Sequence, residues 1–105
     1  MTDFQTISWI FLATALASQE CGADAAGISG VADGINHSVP TQKEMQESLK
    51  WLLTQGLVNR EKSKYCLTDK GQELFRNVRK KSDILLKMWE ILEADLRTLN
   101  KNNVA

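Results

Sequence analysis

Apolar positions at the start of the chain keep to no single face. Phe4, Ile7, Trp9, Ile10, Phe11, Leu12 and Leu16 cover nearly the whole circumference of a helix that runs to about Ser18 and is capped by Thr2 or Asp3. A helix apolar all round has neighbours on several sides, so this one is expected at the centre of the fold. Gly22 breaks the pattern. From about Asp24 to Ile35 the apolar residues Ile28, Val31, Ala32 and Ile35 return at the i, i+3, i+4, i+7 spacing of one buried helical face. Gly27, Gly30 and Gly34 lower the helix propensity of this segment, and their missing side chains predict close packing against another helix.

Asn36 to Pro40 reads as a tight turn, with Asn36 suited to a left-handed helix end and Pro40 holding Val39 extended. Thr41-Gln42-Lys43-Glu44 has the form of a capping box, in which a threonine hydroxyl and a glutamate carboxylate satisfy each other's backbone N–H groups. The helix it opens runs to Gln55, buries Met45, Leu49, Leu52 and Leu53, and is closed by Gly56 as a C′ glycine with positive φ. Leu57–Asn59 and Tyr65–Leu67 are short β-prone runs around the polar turn Arg60 to Lys64. They predict a hairpin with Val58, Tyr65 and Leu67 facing inward.

Thr68 caps a last helix predicted to run without interruption from Asp69 to about Asn100. Phe75, Val78, Ser82, Leu85, Trp89, Leu92, Leu96 and Leu99 alternate spacings of three and four, a heptad seam with one polar position. Ile84, Met88 and Ile91 form a second stripe beside it. One stripe can cover the first helix and the other then needs a second copy. The expected dimer interface is Leu85, Met88, Trp89, Leu92, Leu96 and Leu99. Asp83–Lys87 and Glu93–Arg97 are spaced as i, i+4 ion pairs on the outer face.

With 105 residues, the chain fits a single domain, a core over 4–68 followed by a dimerisation helix over 69–100. Formal net charge is zero, so attraction to nucleic acid has to come from local patches. Arg76, Arg79, Lys80 and Lys81 make the most basic stretch, either a solvated helix turn or a flanking phosphate contact. Cys21 and Cys66 lack metal-ligand spacing and read as free thiols of a reducing compartment. The apolar run Ile7 to Ala17 is too short to span a bilayer, and Asp3 stands where a secretion signal carries positive charge, so the chain is expected to be cytoplasmic, without a membrane partner. His37 is the lone histidine and has no nucleophile or acid patterned around it; the glycines of the second helix follow no strand; no His, Cys or carboxylate set suggests a metal. Neither enzymatic activity nor a cofactor is expected.

Helix, helix, tight turn, capped helix, hairpin, helix is the order of a winged helix-turn-helix. Leu49-Lys50-Trp51-Leu52-Leu53-Thr54-Gln55-Gly56-Leu57-Val58 resembles the end of a recognition helix entering a wing. Tyr65-Cys66-Leu67-Thr68-Asp69-Lys70-Gly71 resembles the return strand and entry to the next helix in MarR-like and PadR-like regulators. The fold class expected is therefore mainly α with a small β-hairpin (α+β), a winged helix with a long C-terminal helix. The resemblance implies a homodimeric transcriptional regulator binding double-stranded DNA, its third helix in the major groove and its wing along the backbone. The DNA-facing residues it implies are Thr41, Gln42, Lys43, Gln46 and Lys50 on the helix and Arg60, Lys62 and Lys64 on the wing. Glu47 departs from that pattern, because a carboxylate repels phosphate. The alternative is a winged-helix module that docks on protein with the same surface.

Overall fold

The computed structural model describes residues 3–19 and 22–103. Its elements are α1 (Asp3–Ala17), α2 (Ala25–Asn36), α3 (Gln42–Thr54), β1 (Val58–Glu61), β2 (Lys64–Leu67), α4 (Asp69–Lys81) and α5 (Leu85–Asn103). The fold is a winged helix-turn-helix with a C-terminal helix added. Thr2, one of the expected caps of α1, and Cys21 lie outside the described residues.

The central position of α1 follows from its composition. Trp9, Ile10, Phe11, Leu12 and Ala13 are buried, and α1 packs against α2, α3, α4 and α5. Polar atoms inside this core are satisfied locally: Thr14 Oγ1 donates to the Ile10 carbonyl at 2.8 Å and the Trp9 indole N–H to the Ala32 carbonyl at 2.8 Å. The second bond pins α2 across α1. Gly30 and Gly34 take no part in that packing: both are exposed, and a Cβ added to either would meet nothing within 4 Å. Close helix approach through these glycines is therefore overturned. The left-handed residue that ends α2 is His37, with φ 54°, and not Asn36.

The junction of α3, the wing and α4 is tied most tightly. Gly56 has φ +74°, as the sequence predicts for the residue beyond the helix end. Its N–H donates to the Leu53 carbonyl at 3.1 Å and that of Leu57 to the Leu52 carbonyl at 3.0 Å, the paired bonds of a Schellman motif. Leu57, buried to 1% exposure, supplies the accompanying apolar contact. Thr68 then fastens two elements at once. Its hydroxyl donates to the Gly56 carbonyl at 2.5 Å and accepts from the Gly71 N–H at 3.1 Å, while its own N–H reaches the Leu57 carbonyl at 3.1 Å. Only a glycine fits at 71, because a Cβ there would lie 2.1 Å from the Leu57 carbonyl oxygen.

The wing is an antiparallel hairpin with Val58 opposite Leu67 and Glu61 opposite Lys64. The turn is accordingly Lys62-Ser63, shorter than the five-residue turn expected, and Lys62 adopts φ 59° to make it. Ala23, in the α1–α2 connection, adds a one-residue pairing on the other edge of β2: its N–H and carbonyl bond Tyr65 at 2.9 and 2.8 Å.

The uninterrupted last helix is overturned. Backbone hydrogen bonding stops at Ser82, whose extended conformation (φ −162°, ψ 149°) ends α4. The Ser82 hydroxyl accepts from the Ile84 N–H at 3.1 Å, and the Ile84 carbonyl takes the first bond of α5 from the Met88 N–H at 2.9 Å. A serine offering its side chain to nearby backbone is a known competitor of helix, and here it turns the chain. The break lets α5 fold back on α1, where Trp89 stacks on Trp9 with centroids 6.1 Å apart and donates its indole N–H to the Gln5 carbonyl at 2.8 Å.

That packing also corrects the dimer assignment. Leu92 and Leu96 are 0% exposed and Met88 4% exposed within one chain, so their side chains are covered by their own fold. Trp89 and Leu99 are half-buried against the same core. Of the six expected interface residues only Leu85, at 41%, stays exposed. The core therefore does not stop at residue 68, since α5 contributes to it. On the outer face Glu93 pairs with Arg97 at 2.9 Å as the spacing predicts, while Lys87 pairs with Glu90 at 3.8 Å rather than with Asp83.

Candidate functional site

The exposed edge of α3 is held at both ends. At its start Thr41 Oγ1 accepts from the Glu44 N–H at 3.0 Å and Glu44 Oε1 accepts from the Thr41 N–H at 2.9 Å, completing the capping box. At its end, besides the Schellman bonds, Lys70 Nζ donates to the Gln55 carbonyl at 3.2 Å, placing a cation at the negative helix terminus. Between these anchors Met45, Ser48, Leu49 and Leu52 face the interior, and Gln42, Lys43, Gln46, Glu47, Lys50 and Thr54 face solvent.

The two flanks of that solvent edge differ in charge. On the wing side lies a groove of about 740 Å³ between α3, the start of α2 and the wing. Its floor is apolar, from Met45, Leu49, Leu53, Ala25 and Pro40, and its rim carries Gln42, Gln46, Lys50 and Arg60. None of the lining residues is an aspartate or glutamate. On the α1 side a smaller cleft of about 400 Å³ is lined by Asp3, Glu44 and Glu47 with a single cation, Lys43. The helix thus segregates its carboxylates to one flank, and Glu47, the residue at odds with phosphate contact, belongs to the flank away from the wing.

The predicted residues fall into three groups. Thr41, Gln42, Gln46, Lys50 and Arg60 converge on the groove. Lys43 stands with the acidic cleft. Lys62 and Lys64 are exposed beyond the groove, around a hollow on the outer side of the hairpin that also includes Glu61 and Cys66. Arg60 has structural work as well: its Nε donates to the Lys62 carbonyl at 2.7 Å, and its guanidinium lies 5.8 Å from the Tyr65 ring centroid. Both contacts hold the turn and aim the guanidinium along the wing. Cys66 is a free, half-buried thiol of the same strand.

Sequence reasoning missed the groove's third wall. The start of α2, Ala25, Ala26 and Ser29, is drawn beside α3 by the Ala23–Tyr65 bridge, a one-residue pairing with no periodicity to betray it. It also missed Thr54, which extends the rim one turn beyond Lys50 and donates its hydroxyl to the Lys50 carbonyl at 2.9 Å. Gln42 and Gln46 sit one helical turn apart on one edge, where terminal amides can make paired bonds to an adenine edge. Lys50 and Arg60 flank them with positive charge.

Residues 41–86, from the capping box of α3 through the wing and α4 to the start of α5, match a family model described as winged helix-turn-helix. The match covers less than half of the chain and supports the winged helix-turn-helix superfamily without distinguishing MarR-like from PadR-like regulators. No curated protein and no solved structure matches the chain. Among the described residues, no helix is long and apolar enough to cross a membrane.

Proposed function

We propose that this chain is a DNA-binding transcriptional regulator that uses the wing-side edge of α3 in the major groove and the wing along the adjoining backbone. The observation that carries the proposal is the sorting of charge across α3. The edge that shares a groove with the wing bears Gln42, Gln46, Lys50 and Arg60 and no carboxylate, although the chain as a whole is neutral. Gln42 and Gln46 read base edges, Lys50 and Arg60 hold phosphates beside them, and Lys62 and Lys64 meet the backbone farther out. Thr41 sets the start of the reading edge, and Lys43 faces phosphate only from the acidic flank. The resemblance of Thr41 to Gly71 to MarR-like and PadR-like regulators supports the same reading, and on that reading the protein works as a homodimer in the cytoplasm without a cofactor.

Binding to a random duplex measured by fluorescence anisotropy across salt tests it. Four phosphate-facing cations predict that the log affinity falls with log salt at a slope of about −3 to −4. Lys62→Ala with Lys64→Ala should weaken binding to every sequence alike and flatten the slope by about 2. Replacing Gln46 by Ala should instead alter sequence preference. A second reading rests on the apolar floor of the groove, which also suits a protein segment. Wild-type protein with no salt-dependent retention on duplex would put that interaction module first.

A further inference from the structure

The reading edge of α3 carries a narrow set of base-recognising groups. Gln42 and Gln46 are exposed on the rim of the wing-side groove, and neither terminal amide is engaged by another described residue. They stand four residues apart, about 6 Å along a helix, close to two base steps of about 3.4 Å. Each amide offers a donor and an acceptor side by side, which matches the N7 and N6 amino group of adenine. Groups suited to the other bases are missing or occupied. The N4 amino group of cytosine is best met by a carboxylate, and no aspartate or glutamate lines the groove. Guanine is best met by a guanidinium, but Arg60 has its Nε bonded to the Lys62 carbonyl at 2.7 Å and its guanidinium 5.8 Å from the Tyr65 ring centroid. Lys50, one turn beyond Gln46, is a point charge without the planar fork that tells guanine from phosphate. On the α2 wall, Ala25 and Ala26 expose two methyl groups, apolar surface of the kind that accepts the C5 methyl of thymine.

We infer that this edge is specific for A·T base pairs read from the major groove. Gln42 and Gln46 each bond an adenine edge, and the methyl groups of thymines beside them lie against Ala25 and Ala26. The inference rests on the DNA-binding reading and adds what that reading leaves open, namely which base pairs are chosen. Discrimination works by exclusion as well as by fit. A G·C pair in the same place would press a cytosine amino group against a wall without a carboxylate. It would also set each amide oxygen against an acceptor of guanine. A polar group desolvated without a partner costs more than a made hydrogen bond gains, so the mismatch decides the choice. Contacts from Lys50 and the wing to phosphate are the same on every sequence, which leaves the amides and the methyl contacts to carry the preference.

Fluorescence anisotropy on the full chain with duplexes of equal length at one moderate salt concentration tests the inference. The probes are alternating A–T, alternating G–C, alternating inosine–cytosine, and A–T with deoxyuridine in place of thymidine. Inosine–cytosine pairs present the major groove of G·C and the minor groove of A·T, so they separate the two grooves. The A–T duplex should bind at least about tenfold tighter than G–C, and inosine–cytosine should behave as G–C. Deoxyuridine should weaken A–T binding about fourfold for each methyl contacted. Gln42→Ala with Gln46→Ala should remove most of the preference without lowering the melting temperature or changing the salt slope, since both side chains are exposed and uncharged. Equal salt-dependent binding to A–T and G–C, inosine–cytosine bound as tightly as A–T, or a preference that survives the double alanine variant would overturn the inference and leave the DNA-binding reading standing. No salt-dependent binding to any of these duplexes would overturn both.

Discussion

Gly71→Ala is expected to destabilise the fold by about 3 kcal/mol or more, near the upper end for overpacking. The added methyl would lie 2.1 Å from the Leu57 carbonyl oxygen and 3.1 Å from its carbonyl carbon, both backbone atoms. They cannot swing aside as a side-chain tip would. The Leu57 carbonyl is already bonded to the Thr68 N–H, and Leu57 itself closes α3. Pushing it away loosens the helix end, the first strand of the wing and the cap of α4 together. At about 4–8 °C per kcal/mol for a domain of this size, the melting temperature should fall by more than about 12 °C. Gly30→Ala is the control. It is an exposed helical glycine with open space around its Cβ, and should stabilise by about 0.5–1 kcal/mol. Equal losses at the two positions in thermal melting would show that the junction is not the constraint described.

Lys50→Glu is expected to lower affinity for duplex by about tenfold or more at moderate salt, leaving the melting temperature unchanged. Lys50 is exposed and lies on the carboxylate-free rim, so reversing its charge both removes a phosphate contact and adds a repulsion. Lys43→Glu reverses the same charge on the same helix, but among Asp3, Glu44 and Glu47, and should cost markedly less. Glu47→Gln should strengthen binding only slightly, because its flank is turned from the wing and salt screens charges beyond roughly 8 Å. Anisotropy titrations that ranked Lys43 with or above Lys50 would put the acidic flank, and not the wing side, against the ligand.

Local chemistry made most of the fold legible in the sequence. The capping box at Thr41, the glycine at 56 and the threonine cap at 68 each act within five residues, and the structure contains all of them. The central position of α1 was readable from an apolar circumference no other helix has. Failures came where a side chain chose between two partners. The heptad seam continues across Ser82 in register, but periodicity says nothing of a hydroxyl that prefers the Ile84 N–H, and one bond converts a long helix into two. The expected dimer seam changes for the same reason: once the chain turns, its residues Met88, Leu92 and Leu96 are covered within their own fold. At the candidate site the residue types on α3 were legible, and their division into two flanks was not. Gln46 and Glu47 are neighbours in sequence; the wing and the start of α2, placed by the Ala23–Tyr65 bridge, make one of them a groove residue and leave the other across the helix.

The most direct test of the account is the backbone amide spectrum of the isotope-labelled chain titrated with a random duplex at low salt. The account predicts shifts concentrated at Gln42, Gln46, Lys50 and Thr54 and along the wing from Arg60 to Lys64, with Asp3, Thr6 and Glu47 on the opposite flank nearly still. No shifts at all, or shifts centred on the Asp3–Glu47 cleft, would contradict it.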